Sequence, residues 1–341
     1  MLEALLPQVA EAGSDVEVWV LDNASDDNTA AVVDSARHLG PLNYHRNEQN
    51  LGPLINVIKG PTELATGEYV WVLGDHNLLR PGALKRVLEV LKANPERDAF
   101  YANFRCASYP DQWPQSAWGG YDGPIKYNGN PDFENRPVSH WWELIQGGPS
   151  AYCTQVYAHI VRKTIWTDYW KDKTPGEPYT SARTTYPHTV MIAETLWSAP
   201  SFYIGEPVLT IFNGAQSWGK PETTTKVLLG GFPELLKLFQ SQGWACQETK
   251  FARIWAKQRL GETLGARFVN PSERHLLLFS RALSSALSSP YLIPVVCGSF
   301  VSSECCGLSR GIQRILHSIE GSFSYLFRDC RPARWIRRSR F

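Results

Sequence analysis

The stretch VEVWVLDNASDDNT, Val16 to Thr29, decides how the rest of the chain is read. Val16, Val18, Trp19, Val20 and Leu21 make a short apolar run, as in a strand covered on both faces. The run stops at Asp22, and Asn23, Ser25, Asp26 and Asp27 follow. Asn, Ser and Asp favour turns because their side chains bond nearby backbone. Asp26 or Asn28 is placed to cap a helix starting near Thr29. The turn therefore lies at the carboxyl end of a parallel strand, where open α/β sheets bind ligands. Capping accounts for one or two of these polar groups, and the others call for a second reason.

Working outward, residues 2–12 read as a helix, 29–39 as a helix stopped by Gly40 and Pro41, and 42–46 as a short strand. Pro53 opens a helix that ends near Gly67. Residues 68–73 form a second buried strand, which also ends in a polar turn, Gly74-Asp75-His76-Asn77. Pro81 and Gly82 start a helix that reaches about Ala93. This alternation predicts an α/β fold with a mostly parallel sheet and flanking helices. From 101 to 148 Pro, Gly, Asn and aromatics crowd together, which reads as long loops; Tyr109, Trp113, Trp118, Trp141 and Trp142 argue against disorder. Trp141 and Trp142 cannot both face inward on an extended strand. A strand near 152–161, a helix near 189–198, one or two strands over 201–212 and a helical pattern from 220 to 288 complete the pass.

The 341 residues carry 43% hydrophobic and 20% charged side chains with a formal net charge of +1. That is the composition of a globular chain and speaks against nucleic acid as a partner. The seven cysteines show no CxxC pair and total an odd number, so free thiols in a reducing cytoplasm are expected. The start of the chain has no positively charged, apolar leader pattern. No segment reaches the roughly 20 apolar residues of a membrane span.

Two acids at the ends of neighbouring strands, Asp22 and Asp75, suit a nucleotide. One can take base or ribose and the other can approach a metal-bound diphosphate, since Mg²⁺ or Mn²⁺ needs oxygen ligands and often only one or two carboxylates. The plainer alternative is that both acids cap the helices that follow. No G-x-G-x-x-G follows a strand, which speaks against a dinucleotide oxidoreductase.

VWVLDNASDDNT followed by NEQNLGPLINVIKGPTELATGEYVWVLGDHNLL resembles the nucleotide-sugar half of a family 2 glycosyltransferase with the GT-A (Rossmann-like) fold. The Asp-Asn-x-Ser turn, the Asn-Leu-Gly after the third strand, and Ala-x-Gly-Glu-Tyr entering a strand with a DXD-type end agree in order. YIGEPVL matches a later strand of that family. The resemblance spans about residues 1–218 and is similar in detail to bacterial O-antigen and capsule transferases, the abequosyltransferase-like enzymes. It implies residues 1–100 as the nucleotide-sugar half, 101–220 as the acceptor-side half, and 221–341 as a helical region with a basic tail. It implies Asp22, Asn23, Ser25, Arg46, Asn50, Gly52 and Asp75 as donor contacts. Asp75, His76 and Asn77 are the implied metal group, although Asn77 stands where the family has its second acid, which weakens the expected divalent cation. No acidic pair precedes the acceptor-side helix; His188 occupies that place as candidate base, with Glu194 in reserve.

The implied activity is inverting transfer of a sugar from a nucleoside diphosphate to a hydroxyl of a glycan or lipid-linked glycan. The rivals are a GT-A domain that binds sugar nucleotides without turnover, and a nucleotidyltransferase, which would need a Gly-rich phosphate loop near the first strand. The family also begins with a strand that this sequence lacks, so an internal or misassigned start is expected. The aromatic loops are candidates for stacking on acceptor sugars. The arginine-rich end RDCRPARWIRRSRF, beside the apolar run at 291–301, suits contact with anionic lipid at the inner face of the membrane.

Overall fold

A computed structural model describes residues 1–108, 121, 123–146, 155–213 and 231–244. The chain opens with α1 (Leu2–Ala12), β1 (Trp19–Asp22), α2 (Thr29–Ala36) and β2 (Asn43–Arg46). β1 and β2 pair in parallel, from Trp19 against Asn43 to Asp22 against Arg46. This is the expected strand–helix–strand unit, with the DNASDDNT turn at its carboxyl end. Next come α3 (Gly52–Lys59), which runs on into a π-helical turn at Gly60–Leu64, then β3 (Tyr69–Trp71), β4 (Asn77–Leu79), α4 (Ala83–Ala93) and β5 (Ala99–Ser108).

Later strands interleave with these. β6 (Ile125–Asn128), β7 (Arg136–Val138), β8 (His159–Arg162) and β9 (Ser201–Asn213) complete a seven-stranded sheet of order β3-β8-β5-β9-β4, with β6 on β5 and β7 on β9. The α/β class is as expected, but the pairing is less parallel than the alternation suggested. Only β1/β2 and β5/β9 are parallel ladders among the described strands. The reason is insertion: β8 sits between β3 and β5, antiparallel to both. β3 and β5 therefore point the same way, as a crossover requires, without touching. β5 also runs across residue 100, so the two halves drawn from the sequence share a strand and a core.

No ladder among the described residues joins β1 to β3, and the two-stranded sheet stands beside the larger one. Side chains tie the segment around β1 to α3 and the residues that follow it. Asn56 Nδ2 donates to the Leu21 carbonyl at 3.2 Å, and the Glu17 carboxylate accepts from Thr66 N–H at 2.5 Å and Gly67 N–H at 2.9 Å. An edge strand left bare would be a template for aggregation.

The crowding of Pro, Gly, Asn and aromatics makes residues 101–148 read as loops, yet the first of them belong to β5, Ala99–Ser108. In the fold it is buried from Ala99 to Phe104. Asn103, 0% exposed, sits opposite a bulge at Gly205–Val208, where the β5/β9 register jumps. Its Nδ2 donates to the carbonyls of Asn130 (3.0 Å) and Gly205 (2.7 Å), and its Oδ1 accepts from Phe104 N–H and Asn130 N–H, both 2.9 Å. The segment between β6 and β7 is thereby pinned across the sheet. Gly205 is essential to that crossing, since a Cβ there would lie 2.4 Å from the Phe133 backbone.

A helical layer covers the other end: α5 (Glu143–Gln146), α6 (Lys163–Trp170), α7 (Ala182–Thr185), α8 (Pro187–Thr195) and α9 (Phe232–Ser241). α8 is buried without a break from Pro187 to Ala193, as expected of a helix packed on all sides. Trp141 is 1% exposed, whereas Trp142 is half-buried and stacks on His140. The loop aromatics Tyr109, Trp113 and Trp118, the tail at 289–341 and most of the helical pattern after 220 lie outside the described residues.

Candidate functional site

The Asp22 carboxylate is buried, its side chain 0% exposed. Oδ2 accepts from Tyr44 Oη–H at 2.6 Å and from Arg46 Nη1 at 3.1 Å, and Oδ1 accepts from Ser25 N–H at 2.8 Å. Parallel pairing places Arg46 directly opposite Asp22, and Tyr44 two residues back on the same face. Arg46 Nη2 also donates to the Ser25 carbonyl at 2.6 Å. Burial pushes the Asp22 carboxyl up, but bonds from Tyr44 and Ser25 and the Arg46 charge outweigh it and hold the group below the usual range. Asp22 was expected to touch base and ribose itself. In this conformation its oxygens are committed inside the protein. What it offers outward is a fixed Arg46 guanidinium, whose side chain is 43% exposed.

Asn23 and Asn50 lie beside this cluster. Asn23 Oδ1 accepts from Leu51 N–H at 2.9 Å, and Asn23 Nδ2 donates to Asn50 Oδ1 at 2.9 Å. Asn50 Oδ1 also accepts from Gly52 N–H at 2.9 Å. Gly52 has φ +82°, a left-handed conformation that favours glycine, and it begins α3. The structure thus brings Asp22, Asn23, Ser25, Arg46, Asn50 and Gly52 to one rim.

Asp75 occupies the reversal between β3 and β4. Its side chain is exposed, and Oδ1 lies 3.1 Å from His76 Nδ1. That bond, against a smaller burial effect, holds its carboxyl below the usual range. Asn77 differs. It is 0% exposed in β4, paired with Ile211, and its Oδ1 accepts from Gly74 N–H at 2.6 Å. The oxygen that a cation would need closes the turn instead. The exposed Asp75 carboxylate fits a hard cation held by one protein oxygen together with substrate phosphates, and Asn77 is no part of that fit. Asn77→Asp should therefore leave Mn²⁺ affinity unchanged in a calorimetric titration while lowering stability by about 2 kcal/mol, the cost of a buried group without compensating bonds.

His188 is 3% exposed near the start of α8, its ring centroid 5.5 Å from that of His159. Glu194 accepts from Tyr169 Oη–H at 2.6 Å and from Arg183 Nη2 at 3.0 Å. Arg183 Nε in turn donates to Tyr169 Oη at 3.1 Å. Glu194 is the centre of a clasp joining α6, α7 and α8.

Residues 1–141 match the profile described as Glycosyl transferase family 2. Over that stretch the chain is similar to family 2 glycosyltransferases. Both strand-end acids lie inside the matched residues, and His188 and Glu194 lie beyond them. Abequosyltransferase RfbV of Salmonella typhimurium strain LT2 is 28% identical over 233 residues, 66% of this chain and 65% of the relative. The chain thus spans just under two thirds of that protein. Among solved structures, S. aureus TarS residues 1–349 show 16% identity over 85% of this chain and 74% of that one, with a TM-score of 0.49. Mannosyltransferase PcManGT from Pyrobaculum calidifontis, in complex with GDP-Man and Mn²⁺, shows 13% identity over 91% of this chain and 71% of that one, with a TM-score of 0.41.

Sequence reasoning missed Tyr44, Asn47 and Lys59, which lie within the matched residues. Tyr44 carried a signal, because a phenol two residues before Arg46 on a parallel partner strand must share its face. Asn47 and Lys59 carried none, since their meeting depends on how α3 folds back under β2.

Proposed function

We propose that this chain is an inverting glycosyltransferase that moves a sugar from a nucleoside diphosphate to a hydroxyl of a glycan or lipid-linked glycan in bacterial surface polysaccharide synthesis. The observation that carries the reading is the buried Asp22 carboxylate presenting Arg46 at the rim of β1 and β2, within the stretch similar to family 2 glycosyltransferases. Arg46 would face the donor's base or phosphates, and Asn50 would line the nucleotide beside it. Asp75 would hold a divalent cation against the diphosphate; bound there, the cation would offset the charge that develops on the leaving group.

In the reaction the acceptor oxygen forms a bond to the anomeric carbon while the bond from that carbon to the diphosphate oxygen breaks. The acceptor proton passes to a base, and the nucleoside diphosphate leaves. His188 is the proposed base, because the Glu194 oxygens are engaged in the clasp. For His188 to act, acceptor binding has to uncover its ring. A second reading, a domain that binds sugar nucleotides without turnover, is favoured by that burial and by the Asn77 oxygen facing inward. Calorimetry with UDP-, GDP-, dTDP- and CDP-sugars, with and without Mn²⁺, should find one tight donor. Release of nucleoside diphosphate on adding acceptor should follow in the parent chain and be lost in His188→Ala with donor binding intact. Binding without any release would favour the second reading, and no binding would overturn both.

No helix among the described residues is long and apolar enough to cross a membrane. Under this proposal a lipid-linked acceptor would be met at the inner membrane face.

A further inference from the structure

A chain of side-chain amides runs under the proposed donor site, and its direction is set at both ends. Lys59 Nζ, half-buried at the end of α3, lies 2.9 Å from Asn47 Oδ1 and 3.0 Å from His45 Nε2. An ammonium only donates, so Asn47 must turn its oxygen to it, and the His45 nitrogen accepts. Asn47 is 3% exposed, and its Nδ2 donates to Asn23 Oδ1 at 3.1 Å and to Asn56 Oδ1 at 3.0 Å. Asn56 passes the polarity on to the Leu21 carbonyl, tying the carboxyl end of β1 to α3. Asn23 Nδ2 donates to Asn50 Oδ1. The backbone N–H groups of Leu51 and Gly52 point at the same Asn23 and Asn50 oxygens, so they enforce the same sense. Every link donates away from Lys59. The chain ends on Asn50, an exposed residue whose oxygen is taken twice and whose NH₂ has no partner among the described residues.

We infer that Lys59 and Asn47 are positioning residues that fix Asn50 with its NH₂ outward, as a hydrogen-bond donor to an oxygen of the bound nucleotide. Successive hydrogen bonds polarise one another in one direction, and a cation at the start strengthens the donor at the end. This rests on the donor site proposed above. A purely structural network would need only to be satisfied, whichever way its last amide faced. The positioning role requires the outward group to be a donor.

Asn50→Asp separates the two. The aspartate Oδ1 still accepts from Asn23 and Gly52, so the fold is kept, but the outward NH₂ becomes a charged oxygen. Calorimetry with UDP and GDP on the full chain should show an affinity loss of about 30-fold in Asn50→Asp for whichever nucleotide binds, with the melting temperature of the free protein within about 2 °C of the parent; a donor facing a ligand oxygen is worth that much when replaced by an unpaired acceptor. Lys59→Met should lose about 5-fold, and Lys59→Arg should recover most of it. Equal affinity in Asn50→Asp, or a parallel fall of melting temperature and affinity across all three variants, overturns the inference while the donor site stands. Failure of the parent chain to bind either nucleotide, or any of the sugar nucleotides above, overturns both.

Discussion

Asp22→Ala will lower folding stability by about 3 kcal/mol and donor affinity by at least about 100-fold, read by urea unfolding and calorimetry. The substitution strands three donors at once. Ser25 N–H loses the bond that closes the turn, Tyr44 Oη–H loses its 2.6 Å acceptor, and Arg46 loses the anion that aims it. Arg46 is partly exposed and can turn to water, which keeps the stability loss below that of a fully buried pair. The same freedom is what destroys binding, because a guanidinium that wanders no longer faces one ligand atom. Asp22→Asn should keep the shape and lose most of the affinity. The pH dependence follows from the depressed folded-state pKa of Asp22. Its contribution is fully present above the unfolded carboxylate pKa of about 4 and disappears as pH falls through the lower folded value. The parent should therefore lose stability below about pH 4 more steeply than Asp22→Asn, and the two curves should converge in acid.

Asn103→Asp will be the most damaging single exchange in the sheet, costing about 4 kcal/mol or more, with Asn103→Ala close behind at about 3 kcal/mol. Asn103 Nδ2 donates to the Asn130 and Gly205 carbonyls, and the residue is fully buried. An aspartate puts a charged acceptor against those two acceptors, so attraction becomes repulsion where the charge cannot be solvated. Alanine only leaves the four backbone groups unpaired. Far-UV circular dichroism during thermal unfolding would show either variant melting well below the parent. Melting at the parent temperature would mean that the segment between β6 and β7 is not held across the sheet by this residue.

The DNASDDNT turn was legible because its signal is local. An apolar run, an acid and a cluster of turn formers state a strand end and a polar site without reference to anything distant. Gly52 and Asn50 were singled out by the resemblance, through the Asn-Leu-Gly that leads into a proline-started helix. β5 was not legible, because the crowded stretch it enters reads as loops until the bulge of β9 and the crossing segment supply the bonds that let the Asn103 amide be buried. Asn77 was placed in the metal group by the resemblance, where the family has its second acid. Its burial follows from β4 pairing with β9, a partner more than 130 residues away in sequence.

The amino-acid sequence by itself determined the α/β class, the strand-end acids and the polar rim at the carboxyl end of β1, since periodicity and turn chemistry act over a few residues. The tertiary structure alone decided which of those polar groups look outward. Asp22 was turned in by Arg46 and Tyr44, Asn77 by Gly74, and Glu194 by Arg183 and Tyr169. A polar side chain takes whichever partner is nearest, and for most of these groups that partner belongs to another part of the chain.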